Sequence, residues 1–224
     1  MKGGCNRYSK LFFNPGTRVM GEKNNQPEGG YSQKDWERHY ETDDLHWDLG
    51  KAAPPFVRLW QEKNISPGNA IVPGCGRGHE VLFLAERGFQ VTAVDFSRGA
   101  VEFLTTALAK RAFGGRVLHQ DFFELDPAYD NSFDLLLEHT FFCAISPAMR
   151  KQYVATAGRL LKPGSLLIGL FYETGEKDGP PFNTTRKDVV DNFFEQFTIE
   201  RLDKTRHSAE RRQGKEWLGI LRRK

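Results

Sequence analysis

Two hydrophobic periods alternate along the middle of the chain. Near-continuous apolar runs of four to six residues stand at 69–72, 90–94, 116–119, 133–137 and 166–171, most of them bounded by Gly, Pro, Asp or Asn. Between them lie longer amphipathic stretches. One begins near residue 98 and places Val101, Leu104, Leu108 and Ala112 on a single stripe, and Gly114-Gly115 ends it. Short apolar runs predict strands buried on both faces, and amphipathic stretches predict the helices that cover them. Regular alternation of the two therefore predicts a parallel sheet sandwiched between helices.

The ends of the chain depart from that alternation. Residues 1–30 are rich in Gly, Asn and Lys with little periodicity and are expected to form a poorly ordered tail, docking through Leu11-Phe12-Phe13. Ser32 followed by Asp35 predicts a capped helix to about residue 41, with Trp36 and Tyr40 one turn apart. A loop at 46–50 precedes a second helix from Pro54, with Phe56, Leu59 and Trp60 on one face. Ser146-Pro147 is expected to cap a helix to Leu161, and Lys162-Pro163-Gly164 to turn into the fifth strand. After a loop at 179–182 come a helix at 185–194 and two strands, 197–202 and 216–221, which close the sheet with a hairpin. The expectation is one Rossmann-like α/β domain over 31–224. It has a mostly parallel seven-stranded sheet, helices on both faces, an antiparallel last strand, and residues 31–63 as an N-terminal helical lid.

Composition narrows the class without changing the fold. A length of 224 residues and a net charge of +3 suit a single globular domain and give no reason to expect a nucleic-acid partner. The apolar run at 166–171 is far short of the roughly 20 residues that span a bilayer. Lys2 is not followed by an apolar segment of the secretory kind. Cys5, Cys75 and Cys143 are odd in number and unclustered; they read as free thiols of a cytoplasmic protein, with no metal site. The nine Lys/Arg against three Asp/Glu in residues 201–224 read as a solvated edge.

The chemistry gathers where strands end. The first strand runs into Gly74-Cys75-Gly76-Arg77-Gly78, where glycines let a ligand approach backbone N–H groups. A dinucleotide fingerprint would want Gly at position 79, which is His79. Asp95 ends the second strand, where an acid accepts hydrogen bonds from ribose hydroxyls. Asp121-Phe122 ends the third, an acid and an apolar ring suited to an adenine. Each acid alone reads as a cap or loop residue. Together, at three successive strand ends, they point to an adenosyl ligand.

This ordered set resembles class I S-adenosylmethionine-dependent methyltransferases. Further residues carry a closer resemblance: Trp36, Tyr40 and Trp47, Val72-Pro73-Gly74-Cys75-Gly76, Phe141-Phe142-Cys143-Ala144-Ile145, Leu160-Leu161-Lys162-Pro163-Gly164 and Gly179-Pro180-Pro181-Phe182. His207, Arg211, Gly214, Lys215 and Glu216 echo its C-terminus. The chain is similar, from about residue 31 to its end, to the thiopurine S-methyltransferase superfamily, and within it to the plant-type thiol, halide and thiocyanate methyltransferases. The resemblance implies S-adenosylmethionine as cofactor, with Trp36, Tyr40, Trp47, Gly74, Gly76, Asp95, Asp121, Phe122 and His139 around it. His139 stands where the plant proteins usually carry Tyr, so the substrate pocket is expected to differ.

The physics of that reaction fits the residues. Aromatic faces stabilise a sulfonium cation without competing as nucleophiles. A soft nucleophile needs placement and partial desolvation more than a base, so no obligatory general base is assigned. Phe141, Phe142 and Tyr172, with Phe122, are expected to wall the substrate pocket, and the Tyr172 hydroxyl to orient the substrate. His139 is open to either reading, as an aid to thiol deprotonation or as a cofactor hydrogen-bonding group. Cys75 and Cys143 read as small buried hydrophobes. The expected partner is a small thiol or anion, and the expected state a monomer. Larger aromatic or heterocyclic thiols, selenium or tellurium species, or a non-catalytic cofactor-binding role are the alternatives. Glu138-His139-Thr140-Phe141 lacks the Asn/Asp-Pro-Pro-aromatic run common in nucleic-acid base methyltransferases.

Overall fold

The computed structural model describes residues 29–224 apart from Ala112. The expected tail, with Leu11-Phe12-Phe13 and Cys5, lies outside the described residues, as does Ala112. Gly30, which the pattern left at the end of the tail, is buried and forms an antiparallel bridge with Ile145.

Seven strands form one sheet: β1 (Asn69–Pro73), β2 (Gln90–Asp95), β3 (Gly115–His119), β4 (Phe133–His139), β5 (Leu161–Tyr172), β6 (Phe197–Lys204) and β7 (Glu216–Arg223). Their spatial order is β3-β2-β1-β4-β5-β7-β6. The first five pair in parallel, and β7 runs antiparallel to both β5 and β6. Central β1 shows why the runs are continuous rather than alternating. Ala70 and Val72 pack with Phe56, Leu59, Val81 and Leu84 on one side, while Ile71 packs with Tyr153, Phe171 and Phe193 on the other.

The helices are α1 (Gln33–Glu41), α2 (Pro54–Glu62), α3 (His79–Ala85), α4 (Arg98–Arg111), α5 (Arg150–Leu160) and α6 (Arg186–Phe193). Ser32 with Asp35, and Thr185 with Asp188, form reciprocal capping boxes at α1 and α6. Three details differ from the pattern. The Lys162-Pro163-Gly164 stretch, expected to turn into the fifth strand, lies inside β5, which starts at Leu161. The buried stripe of α4 is Ala100, Leu104, Ala107 and Leu108, with Val101 only half-buried. Leu104 sets that rotation: it sits so close over Gly78 that a Cβ there would lie 2.3 Å from its Cδ1. Ser146-Pro147 opens a short 3-10 turn, Pro147–Met149, and α5 starts only at Arg150. The Arg150 guanidinium reaches Asn183 O and Thr184 Oγ1, which ties α5 to the loop before α6. Among the described residues no helix is long and apolar enough to cross a membrane.

The parallel strands end along one edge, where the β2 residue Asp95 pairs with the β3 residue His119. Helix α1 lies across that edge. Its Glu37 takes the Arg98 N–H at 2.7 Å and the Gly99 N–H at 3.0 Å, capping α4 with a side chain from another helix. Gln33 donates to Phe96 O at 2.6 Å, and the Tyr40 Cβ leaves no space for a side chain at Gly99. Replacing Glu37 by Ala is expected to cost about 0.5–2 kcal/mol of stability in chemical denaturation. Hydrogen exchange should accelerate in α1 while strands β1 and β4 keep their protection.

Candidate functional site

The floor of the site is the turn between β1 and α3. Gly74, Gly76 and Gly78 have φ of +53°, +52° and +75°, and a Cβ at Gly74 would lie 2.5 Å from the Phe141 ring. Asp95 holds this turn in place. Its Oδ2 accepts from Gly76 N and its Oδ1 from Ser97 N, both at 2.9 Å. Burial raises its carboxyl to about 6, even though both N–H groups favour the charged form. Each oxygen keeps acceptor capacity for a further donor.

One wall comes from β3. Asp121 caps a short 3-10 turn by accepting from Phe123 N at 2.9 Å. The Phe122 ring lies 5.6 Å from Phe141 and 5.5 Å from Tyr153, with only a small face open.

Helix α1 and the loop after it supply the aromatic end. Trp47 stands 5.1 Å from Trp36 and 6.0 Å from Tyr40, both edge-to-face, and His39 joins them at 5.3 Å from Trp47. The Tyr40 hydroxyl lies over Gly76, where a Cβ would meet it at 3.2 Å. Burial first, and then the Asp95 charge, raise the Tyr40 phenol well above its ordinary value, so it keeps its proton. Asp48, next in chain to Trp47, takes the Gly50 N–H at 2.7 Å and faces His79 Nε2 at 2.8 Å. Burial opposes its charge, but His79, Gly50 and Arg77 together hold the carboxyl below the usual carboxylate range. The same pairing raises His79.

The opposite wall is the end of β4. Fully buried Glu138 accepts from Phe141 N and Phe142 N at 2.8 Å each and from the Tyr153 hydroxyl at 2.7 Å. It thereby fixes a turn in which Thr140 adopts φ +65°. Burial raises the Glu138 carboxyl despite these donors. The turn directs Phe141 into the site and Phe142 away from it. Contrary to the expectation from sequence, Phe142 lies in the core among Tyr153, Phe171 and Phe193. Cys143 lines the site, but burial pushes its thiol up to about 12, and the buried Cys75 thiol is also well raised. Neither is an activated nucleophile.

His139 joins this wall to the C-terminal segment. Its Nδ1 lies 3.0 Å from Glu80 Oε1 and its Nε2 2.8 Å from Arg212 Nη1. Burial works against the charge on Glu80, yet His139 and the Ala53 N–H hold its carboxyl below the usual range. Arg212 is 5% exposed, donates to Trp47 O at 2.6 Å, reaches Glu216 Oε1 at 3.3 Å and lies 5.6 Å from the Tyr172 ring centre. Arg211 donates to Asp48 O at 2.6 Å. Arg212 is therefore not part of a solvated edge, and together with the exposed Arg211 it straps the Trp47-Asp48 loop down from more than 160 residues away.

One cavity of about 430 Å³ results, within the range of small-molecule sites. Trp36, Tyr40, Trp47, Gly74, Gly76, Asp95, Asp121, Phe122, His139, Phe141 and Tyr172 all line it, and Phe142 does not. Sequence reasoning missed Asp48, Glu80, Glu138 and Arg212. Two signals were present: the Asp48-Leu49-Gly50 turn and the Arg212/Glu216 spacing of four. Glu80 and Glu138 gave none.

A family model described as Thiopurine S-methyltransferase (TPMT) matches residues 31–222. Thiocyanate methyltransferase 1 of Brassica oleracea is 36% identical over 191 residues, 82% of each chain. Probable thiol methyltransferase 2 of Arabidopsis thaliana is 37% identical over 153 residues, 67% of each chain. Among solved structures, one titled for the conversion of a disulfide bond into a thioacetal group during echinomycin biosynthesis superposes with a TM-score of 0.74. It is 21% identical and covers 86% of this chain and 93% of its own. The 1,6-didemethyltoxoflavin-N1-methyltransferase of Burkholderia thailandensis, with bound S-adenosylhomocysteine, gives 0.66 at 19% identity over 86% of each chain. Likeness at that level concerns the fold alone.

Asp95 gives the site a pH dependence. Its raised pKa leaves it protonated below about 6 and a stronger, charged acceptor above. Calorimetry is expected to show affinity for S-adenosylhomocysteine rising as pH climbs through about 6. Asp95→Asn should flatten that profile and weaken binding at neutral pH by more than about tenfold.

Proposed function

The chain belongs to the thiopurine S-methyltransferase family, and from that premise we propose that it methylates a small soft nucleophile. The acceptor is a thiol, hydrosulfide, thiocyanate or halide, and the methyl donor is S-adenosylmethionine. The observation that carries the choice of acceptor is Arg212. It is a buried guanidinium lining an otherwise largely aromatic and apolar cavity, beside Tyr172 and His139. Glu216 offsets its charge, and the remaining N–H donor capacity of Arg212 favours a small anion over a bulky neutral acceptor.

The residues present fit the cofactor. The carboxylate of Asp95 offers unfilled acceptor capacity to ribose hydroxyls at one end of the cavity, and Asp121 with Phe122 suits an adenine beside it. Gly74 and Gly76 leave the floor bare where a Cβ would strike Phe141 or crowd Tyr40. Trp36, Tyr40 and Trp47 present π faces suited to a sulfonium at the other end. When bound, the cofactor supplies an electrophilic methyl group on a cationic sulfur that leaves as a neutral thioether.

The chain's own residues then do three things. The lid rings, held by Arg211 and Arg212 through the carbonyls of Asp48 and Trp47, exclude water from the cavity. Phe122 and Phe141 strip hydration from the nucleophile, and Arg212 with the Tyr172 hydroxyl holds it in place. Orientation of this kind supplies up to about 7–11 kcal/mol of the barrier in favourable systems. An acceptor that arrives as an anion needs no base. The free, buried Cys75 and Cys143 support a cytoplasmic enzyme.

The test is a side-by-side assay of thiocyanate, iodide, hydrosulfide and an aromatic thiol with S-adenosylmethionine. The small acceptors are expected to exceed the aromatic thiol in kcat/KM by about tenfold or more, in line with the cost of placing a bulky group against the apolar wall. Methylation of none of the four would overturn the proposal.

A further inference from the structure

His79 stands where a dinucleotide fingerprint would carry glycine, and the reaction as proposed leaves it idle. It is the first residue of α3, where the helix dipole works against a cation. Its Nε2 nevertheless lies 2.8 Å from Asp48 Oδ1, with the two side chains 22% and 11% exposed. That carboxylate holds the imidazole above its ordinary value, while burial opposes it. The nitrogen makes no aligned hydrogen bond among the described residues, so the contact is an ion pair that depends on charge. Arg77 joins it from the glycine turn. Its Nη1 is 3.5 Å from Asp48 Oδ2, its Nη2 pairs with Asp43, and the guanidinium lies 5.0 Å over the Phe103 ring of α4.

The cavity floor thus grips the loop at 42–50 through its carboxylates, Asp48 by His79 and Arg77, and Asp43 by Arg77. Arg211 and Arg212 grip the same loop from the C-terminal segment, through the carbonyls of Asp48 and Trp47. Bonds to carbonyls fix the path of the backbone. The carboxylate contacts add a second anchor, which sets how the loop, and the Trp47 ring on it, stands over the glycine turn.

We propose that Asp48, anchored by His79 and Arg77, is the positioning residue that sets Trp47 for a sulfonium, and so makes the site distinguish the charged methyl donor from its neutral demethylated product. This rests on the reading of Trp36, Tyr40 and Trp47 as the sulfonium end of the cavity. A π face attracts a cation only within about 6 Å of its centroid, and the attraction is absent for a neutral thioether. Displacing the ring therefore costs the donor more than the product.

Charge alone acts in the opposite direction when His79 is removed. Loss of a cation from the cavity wall favours a cationic ligand over a neutral one. The two effects differ in sign, so one substitution separates them. The other charges near the pair are spent elsewhere. Glu80 faces His139 Nδ1 and the Ala53 N–H, and Asp44 pairs with His39 and His46. Without His79, Arg77 is the side-chain cation left at Asp48.

The test is calorimetry on the full-length chain at about pH 6.5, where a His79 raised above its ordinary value is mostly charged. S-adenosylmethionine and S-adenosylhomocysteine are titrated separately with no acceptor present, and the ratio of the two affinities is read. Trp47→Leu is expected to lower the ratio of donor to product affinity about fivefold or more, the scale of one cation–π contact. His79→Asn should lower it in the same direction by about threefold or more, and Arg77→Gln by less. His79→Lys, which returns a cation to Asp48, should recover most of the loss. Thermal melting checks the fold of each variant. A merely structural role would weaken both ligands alike and leave the ratio where it was. If Trp47→Leu lowers the ratio while His79→Asn and Arg77→Gln leave it unchanged or raise it, the proposal is overturned and the sulfonium reading stands. If Trp47→Leu itself leaves the ratio unchanged, the reading of that end of the cavity is overturned, and the proposal with it.

Discussion

Two hydrogen bonds accepted by one buried carboxylate hold the cavity floor together. Asp95 takes an N–H from the glycine turn after β1 and another from the loop before α4, so the ends of two neighbouring strands move as one piece. Its burial makes the charged form expensive, which is why its carboxyl is raised even with two donors. A strand-end acid of this kind is poised for a hydroxyl-bearing ligand, because each oxygen has one partner and room for another. The glycines follow from the same constraint: the turn reaches Asp95 only with left-handed backbone, and Phe141 and Leu104 occupy the space a side chain would need.

Segments far apart in the chain close over that floor. Glu37 docks α1 on the start of α4, and Arg211 and Arg212 pin the Trp47-Asp48 loop through backbone carbonyls. A guanidinium serves well here, since its planar donors reach a carbonyl, an imidazole and a carboxylate at once. The aromatic cluster is thus held from both ends, and the acceptor selection proposed above would fall to the same buried arginine that fastens the Trp47-Asp48 loop. His139 occupies the junction, touching Arg212 on one side and Glu80 on the other.

Much of the fold was legible in the residue pattern. Continuous apolar runs are visible because parallel strands bury both faces, and the first four parallel strands lie within two residues of their expected positions, whereas β5 begins five residues early, at Leu161. Ser32 with Asp35 marked α1 correctly because a capping box is a local interaction. The departures are where a long-range contact outweighs a local preference. The α4 stripe turns to seat Leu104 over Gly78, and Ser146-Pro147 starts a 3-10 turn rather than α5. Phe142 leaves the cavity because Glu138, invisible as a buried acid in the sequence, captures two successive N–H groups and sets the direction of the turn.

By itself, then, the sequence determined the alternation that builds the sheet, the strand-end acids and glycines that make its carboxyl edge a ligand site, and the aromatic residues of the lid. Each of these depends on interactions within a few residues or on the two-faced burial of a strand. Only the tertiary structure decided which charges serve the site. Arg212, Glu80 and His139 come from the ends of different elements, 132 and 73 positions apart from Arg212 in the chain, and meet because the sheet order brings β7 and β4 to the same edge as α3. A charged side chain carries no periodic signature, so whether it faces solvent or a desolvated cavity follows from packing alone.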